Sequence, residues 1–179
     1  MENTNIQYDA VIHSCKDLFL KKTKDYGTAW RVMRTISITD QIFIKALRIR
    51  TIQEKKVQKV DDDLYSEFIG IINYAAIGII QLKLNNADIE DLPVHITEQY
   101  YNDAIKFAKD TMLNKNHDYG EAWRNMSEES MVDLILMKIQ RIKQILQNDG
   151  KTIISEGIDA NYTDILNYSV FALILAGKY

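Results

Sequence analysis

Three sets of residues in this chain have the types and spacing to do chemistry, and each set occurs twice. The first is acidic. The stretch "DDDLYSEFIGIINY" carries Asp61, Asp62, Asp63 and Glu67, and "EGIDANYTDILNY" carries Glu156, Asp159 and Asp164. Asp63 and Glu67 stand at i, i+4 and share a helix face. Hard divalent cations such as Mg²⁺ take oxygen ligands, which carboxylates one turn apart supply. The second set is D-x(4)-K-x-x-R: Asp40, Lys45 and Arg48, then Asp133, Lys138 and Arg141. Lysine and arginine at i, i+3 lie on one face, and two such pairs brought together would form a cationic cluster suited to polyphosphate. The third set is D-Y-G-x-A-W-R, running from Asp25 to Arg31 and from Asp118 to Arg124. Its Tyr26, Tyr119, Trp30 and Trp123 have the aromatic faces to meet a ligand's base or sugar.

Each set also has a purely structural reading. Acids at a helix start are favoured by the macrodipole. Asp40 and Asp133 fit as capping-box acids after Ser37 and Ser130, with the cations on a solvated face. Asp25 fits as a partner of Arg31, with Trp30 in the core and Gly27 as the helix cap. Two features resist that reading. Asp25 and Asp118 sit in a last helical turn, where the macrodipole disfavours an acid. Asp164 lies about two turns into an apolar helix, where a carboxylate needs a partner; Arg141, Lys138 or a metal would serve.

The elements that must position these residues follow from a repeat. Asp25 and Asp118 are 93 positions apart, and the same offset pairs Tyr8 with Tyr101, Met33 with Met126, Lys45 with Lys138, and Arg48 with Arg141. Near the end the offset becomes 94, pairing Asn73-Tyr74 with Asn167-Tyr168. Under it Glu67 meets Asn161 and Gly70 meets Asp164, so the halves read E-x-x-G and N-x-x-D. The chain is a tandem duplication over about 6–84 and 98–178, joined by a linker at about 85–97 that holds the sole proline, Pro93. Each unit reads as three helices. The first is amphipathic, with Tyr8, Val11, Ile12, Cys15, Leu18 and Phe19 on one face. The second begins at "SITD" or "SMVD". The third, about 64–82 and 158–176, carries the long apolar run. The pattern predicts one all-α bundle of about six main helices over residues 1–179, its two three-helix repeats related by a pseudo-twofold axis.

Composition sets the outer bounds. The 179 residues carry a net charge of −3, which argues against an extended nucleic-acid surface. A single cysteine excludes an internal disulfide and suits a reducing, cytoplasmic setting. No signal peptide is legible, and the apolar runs are interrupted by Asn or Gln, short of a membrane span of roughly 20 residues. A P-loop, G-x-G-x-x-G, C-x-x-C and H-E-x-x-H are all absent from the sequence. A homodimer remains open.

The motif order, D-Y-G-x-A-W-R, then D-x(4)-K-x-x-R, then an acidic helix ending N-Y, resembles the nucleotide modification associated domain 1 family, grouped with MazG-like all-α NTP pyrophosphohydrolases. That resemblance implies a helical fold, a divalent metal held by helix carboxylates and a nucleotide substrate. MazG-like enzymes carry E-E-x-x-E on one helix and E-x-x-D on the next. Here the matching helix carries K-x-x-R, and the E-x-x-D is split between the halves. The expectation is therefore a Mg²⁺-dependent pyrophosphohydrolase with one composite site: Glu67 and Asp164 catalytic, metal held by them with Asp63 or Asp159, and phosphates gripped by Lys45, Arg48, Lys138 and Arg141. Tyr26, Tyr119, Trp30, Trp123, Asp25 and Asp118 would complete the substrate site. A non-catalytic nucleotide-binding module and a helical scaffold are the alternatives.

Overall fold

A computed structural model describes residues 2–59, 63–84 and 91–179. Its six helices are α1 (Glu2–Tyr26), α2 (Thr35–Lys55), α3 (Tyr65–Leu84), α4 (Val94–Tyr119), α5 (Glu128–Gln147) and α6 (Ile158–Leu175). A single 3₁₀ turn, Ala29–Val32 or Ala122–Asn125, joins the first and second helix of each repeat. No strand occurs among the described residues.

The apolar third helices pack most extensively on each other, and each second helix packs on its own third helix and on the opposite second helix. Helices α2, α3, α5 and α6 thus form the central bundle, with α1 and α4 laid against it. Ile38, Ile42, Ala46 and Ile49 of α2 and Met131, Ile135, Ile139 and Ile142 of α5 are fully buried, the two stripes that helical periodicity marks out. Cys15 is also buried, and burial pushes its thiol up to about 12, as befits a small core residue. By length and mean hydropathy (1.4) α3 could cross a membrane, longer than its Asn-interrupted sequence suggests, but 56% of that window is buried inside the protein.

Two sets of bonds express the pseudo-twofold. Tyr8 donates to Asn167 Oδ1 at 2.8 Å, and its counterpart Tyr101 donates to Asn73 Oδ1 at 2.8 Å. The asparagine amides then donate to their own repeat's first helix, Asn73 to the Cys15 carbonyl and Asn167 to that of Ala108. Burial pushes both tyrosines well above the ordinary value, so they stay neutral donors. Further out, Lys143 pairs with Asp40 at 2.8 Å and Arg50 with Asp133 at 3.5 Å.

These last pairs correct the capping-box reading. Helix α2 starts at Thr35, so Ser37 and Asp40 lie inside it. Helix α5 is capped by Ser127, whose hydroxyl accepts from the Ser130 amide at 3.1 Å. The chain re-enters helix directly after each 3₁₀ turn, which leaves both aspartates free to reach the opposite second helix. At the connector, α4 begins at Val94 behind Pro93, earlier than the expected end of the linker.

The exchanged tyrosines offer a direct test. Tyr101→Phe leaves the Asn73 oxygen buried without a donor, which costs about 1–3 kcal/mol, or several degrees of Tm for a chain of this size. Tyr8→Phe should cost the same within error. Thermal unfolding of both variants at wild-type Tm would show that the exchange carries no weight.

Candidate functional site

The D-Y-G turn is built by one obligatory glycine. Gly27 lies at φ +67°, and a Cβ there would run into the Asp91 carboxylate. Asp91 accepts from the Thr28 amide at 2.7 Å and its hydroxyl at 2.9 Å, and Leu92 N–H donates back to that hydroxyl. The residues just before α4 therefore clamp the turn that follows α1. In the second repeat Glu121 takes a hydrogen bond from Thr4 at the start of α1.

Beside the first turn, helices α1, α2 and α3 enclose a cleft of about 500 Å³. Tyr26 and Trp30 of the D-Y-G motif line it, with Lys45 from α2, and Glu67 and Gly70 from α3; Lys22 and Asn73 are among its other polar residues. A volume of this order suits a small ligand. Tyr26 is 58% exposed at the mouth, whereas Trp30 is buried and its indole N–H has no acceptor among the described residues. Glu67 accepts from Lys45 at 3.0 Å and also from Arg48. Burial alone would raise its carboxyl, but the two cations outweigh it and hold the pKa below the usual value.

The second repeat is arranged differently at the same positions. Asp164, where the first repeat has Gly70, is paired with Lys138 at 2.6 Å and with Lys115 at 2.7 Å. Its side chain and that of Lys138 are each 7% exposed. Burial would lower the Lys115 ammonium, and Asp164 more than restores it. Trp123 stacks on Phe171 with centroids 4.2 Å apart, and Phe171 stands where the first repeat has Ile77, a cleft residue. Tyr119 is 74% exposed.

Several expected groupings do not form. Each K-x-x-R lysine pairs within its own repeat: Lys45 and Arg48 go to Glu67, Lys138 goes to Asp164, and Arg141 is exposed and makes no ion pair among the described residues. Among the described residues Glu67 and Asp164 are each held by cations of their own repeat. Asp63 is exposed and caps α3, accepting from the Tyr65 amide at 3.1 Å. Asp159 lines a different recess, with Lys83, Asp103 and Asp110. Asp61 and Asp62 lie outside the described residues. Among the described residues no three His, Cys, Asp or Glu side chains converge to hold a metal, and Glu67 and Asp164 are each engaged by two cations. Asp25 is exposed and makes no hydrogen bond or ion pair among the described residues, since Arg31 turns to Gln81 on α3. Asp118 is exposed and, among the described residues, pairs with His117 alone, at 3.1 Å, while Arg124 reaches across to Gln7 on α1.

Sequence reasoning missed Lys22 and Lys115. The repeat offset could have found them, because they pair with each other and lie one turn before Tyr26 and Tyr119.

A family model, nucleotide modification associated domain 1, matches residues 22–82 and again 115–175. The chain belongs to this family. Each family unit opens on the equivalent lysine, Lys22 or Lys115, and closes inside the third helix, so it spans the D-Y-G turn, the K-x-x-R helix and the Gly70 or Asp164 position. Among curated proteins and solved structures, nothing matches the chain.

The Glu67 pairing predicts a pH dependence. Its folded pKa lies below the ordinary 4.5, so ionised Glu67 stabilises the fold above that pH, and the contribution fades as pH falls through the folded value. Glu67→Gln should lower the urea midpoint at pH 7, and the gap to wild type should close in acid. A gap constant with pH would refute the ion pair as its source.

Proposed function

We propose that this protein binds a nucleotide, with the first repeat's cleft as its site. The observation that carries the reading is the meeting of Tyr26 and Trp30 with Lys45 in one cleft. An aromatic wall suits a base, and a lysine suits a phosphate. Membership of a family described by nucleotide modification agrees with it. Asn73 is tied to Tyr101 and the Cys15 carbonyl, so it shapes the wall, and recognition falls chiefly to the aromatics and lysines.

A second reading is kinship with the MazG-like pyrophosphohydrolases and Mg²⁺-dependent cleavage of a nucleoside triphosphate. Glu67 favours it, as the one carboxylate lining the cleft among the described residues. That chemistry requires a metal to displace Lys45 and Arg48 from Glu67, a competition that binding alone does not impose.

Thermal shift with nucleoside mono-, di- and triphosphates, each with Mg²⁺ or EDTA, tests both. Ligand at about 100 times Kd adds roughly 2.7 kcal/mol, several degrees for this size. Tyr26→Ala should lose that shift while keeping the unliganded Tm, because the ring is mostly exposed. A shift with every nucleotide absent would sink the reading. Pyrophosphate release that EDTA abolishes would move the conclusion to the hydrolase.

A further inference from the structure

The two repeats hold three equivalent cations, Lys22, Lys45 and Arg48 against Lys115, Lys138 and Arg141, but seat their carboxylate at opposite ends of the set. In the second repeat Asp164 bridges Lys115 and Lys138, one oxygen to each, at 2.7 and 2.6 Å. In the first repeat the acid lies one turn earlier on the third helix, and Glu67 bridges Lys45 and Arg48. Gly70 stands where the bridging aspartate would be. Lys45 runs across this glycine, and a Cβ there would lie 2.9 Å from its Cε. Lys22, at the cleft edge, makes no hydrogen bond or ion pair among the described residues.

We propose that the first repeat's cleft seats an anionic group of its ligand, a phosphate, over Gly70 between Lys22 and Lys45, in the place the Asp164 carboxylate takes in the second repeat. The second repeat supplies its own anion; in the first, Lys45 leans over Gly70 and would turn outward to share an incoming anion with Lys22. A phosphate offers the same two-oxygen presentation to two ammonium groups that Asp164 makes. Glu67 remains on the Arg48 side, so the added charge meets Lys22 and the far edge of Lys45. Exposed Lys22 also gives an incoming anion a cation to meet first. The identity of the ligand as a nucleotide rests on the preceding proposal; the anion position does not.

The test is calorimetric titration of wild type, Gly70→Asp and Lys22→Gln with inorganic pyrophosphate and with ADP, GDP, CDP and UDP. Gly70→Asp installs the missing carboxylate and should weaken pyrophosphate and nucleotide by the same factor, about tenfold or more. Lys22→Gln should do likewise, and its side chain, exposed and without a pair among the described residues, keeps folding out of the question if Gly70→Asp misfolds. Pyrophosphate weakened in the variants, with no nucleotide binding more tightly than pyrophosphate, would support the anion position and overturn the nucleotide reading. Nucleotides bound equally by all three proteins would overturn the anion position and leave the nucleotide reading standing. Failure of wild type to bind any of these probes would overturn both.

Discussion

The exchange of two buried hydrogen bonds between the halves is the constraint on which the rest depends. Tyr8 and Tyr101 each cross the pseudo-twofold to an asparagine of the other repeat's third helix, and those asparagines tie back to their own first helix. A buried polar group without a partner is costly, so the network admits one register of α3 against α6 and one rotation of α1 and α4. Isoleucine and alanine surfaces alone would tolerate small slides between helices. Because Asn73 is also part of the cleft wall, the register that satisfies Tyr101 fixes the height of Glu67 and Gly70 relative to Lys45.

Around that centre the charges are graded by burial. The pairs Lys143–Asp40 and Arg50–Asp133 are partly solvated and contribute little singly. Asp164 and Lys138 are nearly enclosed, and neither tolerates loss of the other, because a buried unpaired charge is far more costly than the pair is stabilising. The second repeat therefore carries its charge cluster as framework, whereas the first keeps a comparable set beside an open cleft.

Most of the architecture was legible in the sequence because it follows from periodicity. Ile38, Ile42, Ala46 and Ile49 recur at helical spacing, Gly27 and Gly120 end their helices in the left-handed conformation, and the offset in numbering reveals the duplication before any coordinate. Tyr26, Trp30, Lys45 and Glu67 were picked out by type and spacing, and they do line one cleft. What spacing could not give was the partner. Arg31 chose Gln81 over Asp25, and Asp40 chose Lys143 over a helix cap, because both choices depend on which helix lies opposite. Spacing likewise did not set which cations Glu67 and Asp164 take: each pairs with those of its own repeat.

The connector between the repeats has a consequence for how such a protein can vary. In a symmetric pair of identical subunits every substitution is made twice, and a change that fills one site fills its twin. Joining the halves in one chain removes that restriction. Position 70 can stay glycine while position 164 becomes aspartate, and position 77 can stay isoleucine while position 171 becomes phenylalanine. Covalent linkage thus lets one half specialise as ballast and the other as receptacle, within a frame that both still share.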